Sequence, residues 1–169
     1  ERNHVYTSYM TMLHGKDAAD GFKRISPANF IGPDSYTLQL ENIVSDNSDT
    51  NVPNIRQDYS VTDKADGDRK MLFVNEEGRI YYIDKNMNIT FTGCKTAEKT
   101  IFMSLIDGEH IKYDKTRNFI NLYAAFDIYF VGNKNVRTKS FMYDSLDKEE
   151  GVSFSSILVS CFSKPCIML

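Results

Sequence analysis

The sequence predicts an α+β domain of twisted antiparallel sheet with a few helices, and three observations carry that expectation. From residue 59 the chain runs in short β-branched or aromatic segments, "YSVTD", "KMLFVN", "RIYYID" and "NITFT", separated by Asp66-Gly67, Glu77-Gly78 and "KNM" as a meander of hairpins would be. Two longer stretches follow, "TIFMSLIDGEHIKYD" and "NFINLYAAFDIYFVG". The second is so continuously apolar that both its faces are expected to be covered. Helical spacing is confined to two places: a weak period within residues 1–26, interrupted by two glycines, and "TKSFMYDSLDKEE" (138–150), where Phe141, Ser145 and Leu146 would face inward.

Between the first helical stretch and the strands, "FIGPDSYTLQLENI" (30–43) turns at Gly32-Pro33-Asp34. It then alternates Tyr36, Leu38 and Leu40 on one face, which is strand spacing. The polar stretch "SDNSDTNVPN" (45–54) reads as a loop or linker. The division expected is therefore an approach or linker segment over 1–54 and the main domain over 55–169. No internal repeat or low-complexity tract interrupts this order.

The chain of 169 residues is 41% hydrophobic and 25% charged, enough apolar content for one globular domain. Its net charge of −3 supplies no global basic field for nucleic acid, which leaves a local basic groove open. The cysteines, Cys94, Cys161 and Cys166, have no C-x-x-C spacing, so neither a zinc site nor a disulfide framework is indicated, and a reducing, intracellular setting is expected. No apolar run approaches the ~18 residues of a membrane span and no signal segment opens the chain, so a soluble protein with no membrane partner is expected. The tail "CIML" matches a prenylation box, but only Lys164 stands near it as a basic residue, so a chance tetrapeptide is the preferred reading.

Chemistry enters at "VTDKADGDRK" (61–70). Taken alone, Asp66-Gly67 between two strands reads as a type I′ hairpin turn with charged flanks. Its company changes the reading: Lys64, with Arg69 just after it, is followed in order by Asp107-Gly108-Glu109 in "LIDGEHI" and by Phe126-Asp127 in "AAFDIYFV". Each later element has a bland counterpart. Glu109 would be the exit of another hairpin, Asp127 an edge-strand charge and Phe126 a core aromatic. The joint order points to one site. No P-loop and no G-x-G-x-x-G fingerprint occurs. His4, His14 and His110 are unpaired, and alternation puts His110 on the face opposite Glu109.

K-x-D-G-x-R, D-G-E and F-D-I resemble motifs I, III and IIIa of the covalent nucleotidyltransferases, the superfamily of mRNA-capping guanylyltransferases and polynucleotide ligases. "FIGPDSYTLQLENI" and "YSVTDKADGDRKMLFV" are most similar to the capping enzymes of large cytoplasmic DNA viruses. The resemblance covers residues 30–131 and implies a partial nucleotidyltransferase core. Lys64 would then attack the α-phosphate of GTP and carry GMP as a phosphoamide, dividing one transfer into two. With an unperturbed lysine pKa of about 10.4, only ~0.04% of the amine is neutral at pH 7, so burial, cations or a metal must lower it. The resemblance further implies that Arg69, Glu109 and Phe126 bind nucleotide, and that Glu109 and Asp127 serve Mg²⁺ or Mn²⁺. The 5′-diphosphate end of RNA would accept the GMP, in the cytoplasm (a viral factory or virion if the source is viral). Triphosphatase and methyltransferase domains would sit on the same parent chain.

The sequence departs from the family in its last third. No K-x-K pair follows Asp127, "EEGVSF" (149–154) matches motif IV only in part, and there is no room for an oligonucleotide-binding-fold lobe. The expectation is thus a fragment, weakly active or inactive alone. ATP-dependent ligase adenylation, or a non-catalytic nucleotide- or partner-binding remnant, are the alternatives.

Overall fold

The computed structural model describes residues 1–19, 24–44, 52–56 and 65–139. Lys64, the strand expected at 59–63, "EEGVSF", the C-terminal tail and nearly all of the helix expected at 138–150 lie outside the described residues.

Six antiparallel strands form a single sheet in the order β3-β2-β1-β4-β5-β6. They are β1 (Asp68–Val74), β2 (Arg79–Asp84), β3 (Ile89–Lys95), β4 (Ser104–Tyr113), β5 (Phe119–Val131) and β6 (Lys134–Asn135). The α+β expectation is met, because β1 to β5 fall on the β-branched and aromatic runs. Helix α1 (Arg2–His14) precedes the sheet, ends at Gly15 with φ 82°, and is followed by the single turn α2 (Lys16–Ala19). Among the described residues no helix is long and apolar enough to cross a membrane.

The hairpins are built on one repeated turn. In "NEEGR", "DKNMN" and "DKTRN" an Asn or Asp opens the loop, and its side-chain Oδ1 accepts backbone N–H groups two and four residues on. The fourth residue takes positive φ: Gly78 at 77°, Met87 at 61° and Arg117 at 67°. β5 and β6 are joined instead by Gly132-Asn133, both at positive φ, the signature of a type I′ turn. Asp66-Gly67 is different. Gly67 does not have positive φ and immediately precedes β1, so the type I′ reading of that pair does not hold. A Cβ on Gly67 would lie 2.7 Å from the His110 carbonyl oxygen, so glycine is needed there for close approach to β4.

The two faces of the sheet carry separate apolar clusters. On one, Val5, Tyr9 and Met10 of α1 pack with Met71, Phe73, Ile83 and Leu105. Tyr9 meets Phe73 edge-on at 6.4 Å, and its hydroxyl donates to the Asn29 carbonyl and accepts from Ile31 N–H. The other face gathers Leu72, Ile80, Ile101, Ile106, Tyr123 and Ile128. Contacts group the described residues of 1–32 with 65–139, and those of 33–64 by themselves.

Two strand expectations need correction. Residues 33–39 have no regular structure and Leu40–Asn42 is a 3₁₀ turn; Tyr36, Leu38 and Leu40 are all exposed. Alternation alone did not suffice, because no neighbouring strand pairs with this segment among the described residues. β5 is also less covered than its apolar run implied: Phe119 and Ile120 are exposed, and burial on both faces is reached only at Ile128–Phe130.

Candidate active site

β1 and β4 align Arg69 with Glu109 and Met71 with Asp107. β4 and β5 align Asp107 with Asp127, and Glu109 with Ala124. Directly opposed residues in an antiparallel pair share a face, so Arg69, Asp107, Glu109 and Asp127 all lie on the α1 side of the sheet. Position 110 falls on the other side, as alternation required.

β5 reaches this arrangement by breaking its own alternation. Between the Asp107↔Asp127 and Gly108↔Ala125 pairs, Phe126 has no partner. Between Leu105↔Phe130 and Ile106↔Ile128, Tyr129 has none. Each is an extra residue of a β-bulge, which re-aims the side chains around it. Gly108 sits opposite the first bulge. A Cβ there would come within 2.6 Å of both the Ala124 carbonyl oxygen and the Tyr123 ring, so the glycine of the Asp-Gly-Glu motif permits strand approach rather than a turn.

The most buried charge among the described residues is one that sequence reasoning passed over. Asp107 is fully buried and accepts from Arg69 Nε at 3.1 Å, Arg69 Nη2 at 2.5 Å and the Tyr129 hydroxyl at 2.8 Å. This two-pronged arginine contact plus a phenol satisfies both carboxylate oxygens. Hydrogen bonding to Asp107 raises the Arg69 pKa, while burial raises that of Tyr129, so both remain protonated donors. The Arg69 guanidinium carbon also lies 5.9 Å from the ring centres of Phe30 and Phe126. A Cβ on Gly32 would stand 2.9 Å from Arg69 Nη2, so the Phe30–Gly32 segment closes tightly over the arginine. The signal for Asp107 was present: it shares strand parity with Glu109 inside an apolar strand. Phe30, remote in sequence, gave none.

Glu109 presents the opposite situation. Its Oε2 is buried with no hydrogen-bond partner among the described residues. An orphaned carboxylate oxygen at such a position is a ready ligand for a cation or a hydroxyl. Asp127 is half-buried, accepts from the Ile128 N–H at 2.8 Å, and has its pKa raised by burial and by the neighbouring charge of Asp107, against the opposing pull of that N–H and Arg69. Beyond the two residues paired with β6, β5 is the edge of the described sheet, so Asp127 is an edge-strand charge as well as a neighbour of the site. No group of three or more metal-ligating side chains occurs among the described residues. Two carboxylates do fit a Mg²⁺-like ion, which is commonly held by one or two carboxylates while phosphates and water complete its shell.

Residues 45–149, a span that contains Lys64 and every residue named on this face after it, match the mRNA capping enzyme catalytic domain. The chain belongs to the mRNA capping enzyme family. Over 128 residues, 74% of its length, the chain is 34% identical to a "Probable mRNA-capping enzyme" of Acanthamoeba polyphaga mimivirus. It spans 10% of that relative's length, so the relative carries much that this chain does not match.

Proposed function

We propose that this chain is the lysine-bearing part of an mRNA guanylyltransferase. The observation that carries the reading is the single sheet face on which Arg69, Glu109 and Asp127 lie, with Phe126 against Arg69, and with a buried Glu109 oxygen that has no partner among the described residues. In the first half-reaction the neutral Lys64 Nζ attacks the α-phosphorus of GTP. An N–P bond forms, the bond to the β-phosphate oxygen breaks, pyrophosphate departs and the amine releases a proton. In the second, a terminal oxygen of the RNA 5′-diphosphate attacks the same phosphorus, the N–P bond breaks, GMP passes to the RNA, and the nitrogen takes up a proton to regenerate Lys64.

The described residues take roles consistent with their surroundings. Arg69, fixed by Asp107, offers a stationary cation toward the ribose and phosphates. Phe126, displaced by its bulge, offers a ring to the base. Glu109 and Asp127 would hold Mg²⁺ or Mn²⁺, which neutralises phosphate charge and favours the free amine. A cytoplasmic site of action, and companion triphosphatase and methyltransferase activities on a longer chain, belong to the same proposal.

The test is incubation with α-labelled GTP or ATP and either cation, followed by denaturing electrophoresis of the wild type and Lys64→Ala. Label from GTP that disappears in the variant is the expected result. Label from ATP alone would move the assignment to a ligase, and label that survives Lys64→Ala would remove the lysine from its role.

A further inference from the structure

We infer that the β4–β5 hairpin tip is a docking surface for single-stranded RNA. Tyr113 and Phe119 face each other across the base of this hairpin, ring centres 5.7 Å apart and edge to face, yet remain 58% and 67% exposed. Exposed aromatic pairs at a strand end leave apolar surface in water and offer stacking platforms for bases. Lys112 precedes Tyr113 in β4, and Lys115 and Arg117 lie in the loop between the two rings. All three are exposed, and none forms an ion pair among the described residues. The one acidic side chain of the loop, Asp114, is turned inward on Thr116 and Asn118. Rings for bases and cations outside any ion pair among the described residues for phosphates are the combination that single-stranded nucleic acid requires.

Two further features fit. Tyr113 lies on the same face of β4 as Glu109, four residues further along, about 13 Å at ~3.3 Å per residue. A strand stacked on the ring pair would therefore lie along the face that carries the proposed GMP site. Arg117 holds φ at 67°, where glycine stands in the equivalent position of the β1–β2 turn. A non-glycine residue pays for that conformation, and unlike Met87, whose side chain fills the core at the same turn position, Arg117 recovers nothing by burial.

The inference rests on the guanylyltransferase reading only for what the RNA is for, and the two are tested apart: RNA binding is measured without GTP, and lysine–GMP formation without RNA. The probe is a fluorescein-labelled, unstructured single-stranded RNA, titrated with the chain by fluorescence anisotropy over a series of salt concentrations. Tyr113→Ala/Phe119→Ala should weaken binding at least about fivefold, while Tyr113→Phe, which keeps the ring, should bind as the wild type does. Arg117→Gly should raise the thermal midpoint yet weaken binding, and lower the slope of log affinity against log salt by about 0.7. That pair of opposite effects cannot arise from a misfolded variant. No RNA binding by the wild type at low salt, or unchanged affinity in the ring-less variant, overturns the inference; the rings would then belong to a protein partner.

Discussion

The two faces of the central sheet are stabilised in different ways, and β4 shows both in consecutive residues. Asp107 points to the α1 side and is a fully buried charge satisfied by an arginine and a phenol. Gly108, next along the strand, leaves room on the other side for the fully buried Tyr123, whose hydroxyl lies 2.8 Å from the Lys70 carbonyl oxygen and 2.9 Å from that of Ile106 and shares its one proton between them. There Tyr82 stacks on Tyr123 at 5.5 Å and lies 4.7 Å from the His110 ring. His110 Nδ1 accepts from Lys70 Nζ, which leaves Nε2–H to donate to Asn121. One face thus carries an ionic lock with a neighbouring orphan carboxylate, whereas the other is a satisfied aromatic core. Packing and hydrogen bonding account for the second face; the first holds a buried oxygen with no partner among the described residues, and the proposed function is placed there.

The sharpest way to break this contrast is Arg69→Met. It strands the Asp107 carboxylate, which has no access to water, and should cost about 3–5 kcal/mol in urea unfolding. Asp107→Asn should cost less, because the Arg69 side chain is 30% exposed and can turn to solvent. Equal losses would mean that the pair is not the asymmetric lock its burial implies.

On the aromatic face, Gly108→Ala should destabilise by about 1–3 kcal/mol through overpacking against Tyr123 and the Ala124 carbonyl. Full stability in that variant would show that β4 and β5 are further apart than described. Tyr123→Phe keeps the ring and removes its hydrogen bonds, for an expected loss of about 1 kcal/mol.

The smallest effect concerns Asp127 and has the opposite sign. Because burial raises its folded-state pKa, the folded protein binds that proton more tightly than the unfolded chain. Stability contributed there is present below the ordinary carboxylate pKa of about 3.9 and is lost as pH rises through the elevated value. Asp127→Asn should therefore raise the thermal midpoint at neutral pH, with the gain shrinking on acidification. Added Mg²⁺ should narrow the gap by stabilising the wild type alone, and a variant less stable than wild type at neutral pH would contradict the assignment.

Much of this was legible in the residues. The runs "RIYYID" and "SLIDGEHIKY" name their strands, because alternating β-branched and aromatic residues fit a pleated surface and little else. The order Lys64, Arg69, Glu109 and Asp127 carried the resemblance to the capping enzymes, and the family match spans all four positions. Other features were not. Nothing local distinguishes Tyr36–Leu40, which fails to pair, from a true strand, since pairing depends on a partner elsewhere. The Asp-Gly of residues 66–67 and that of 107–108 look alike, yet neither makes the tight turn the dipeptide suggests; in both, the glycine's absent Cβ serves a neighbouring strand.

The sequence by itself determined the strands, the family and the chemical groups available, because periodicity and residue type are local properties that survive any packing. Only the tertiary structure decided which of those groups are spent and which remain. The bulges at Phe126 and Tyr129 set consecutive β5 residues on one face, the pairing of β1 with β4 gave Arg69 to Asp107, and Glu109 was left with an oxygen that has no partner among the described residues. Burial and hydrogen-bond satisfaction are relations between distant segments, and no single segment encodes them.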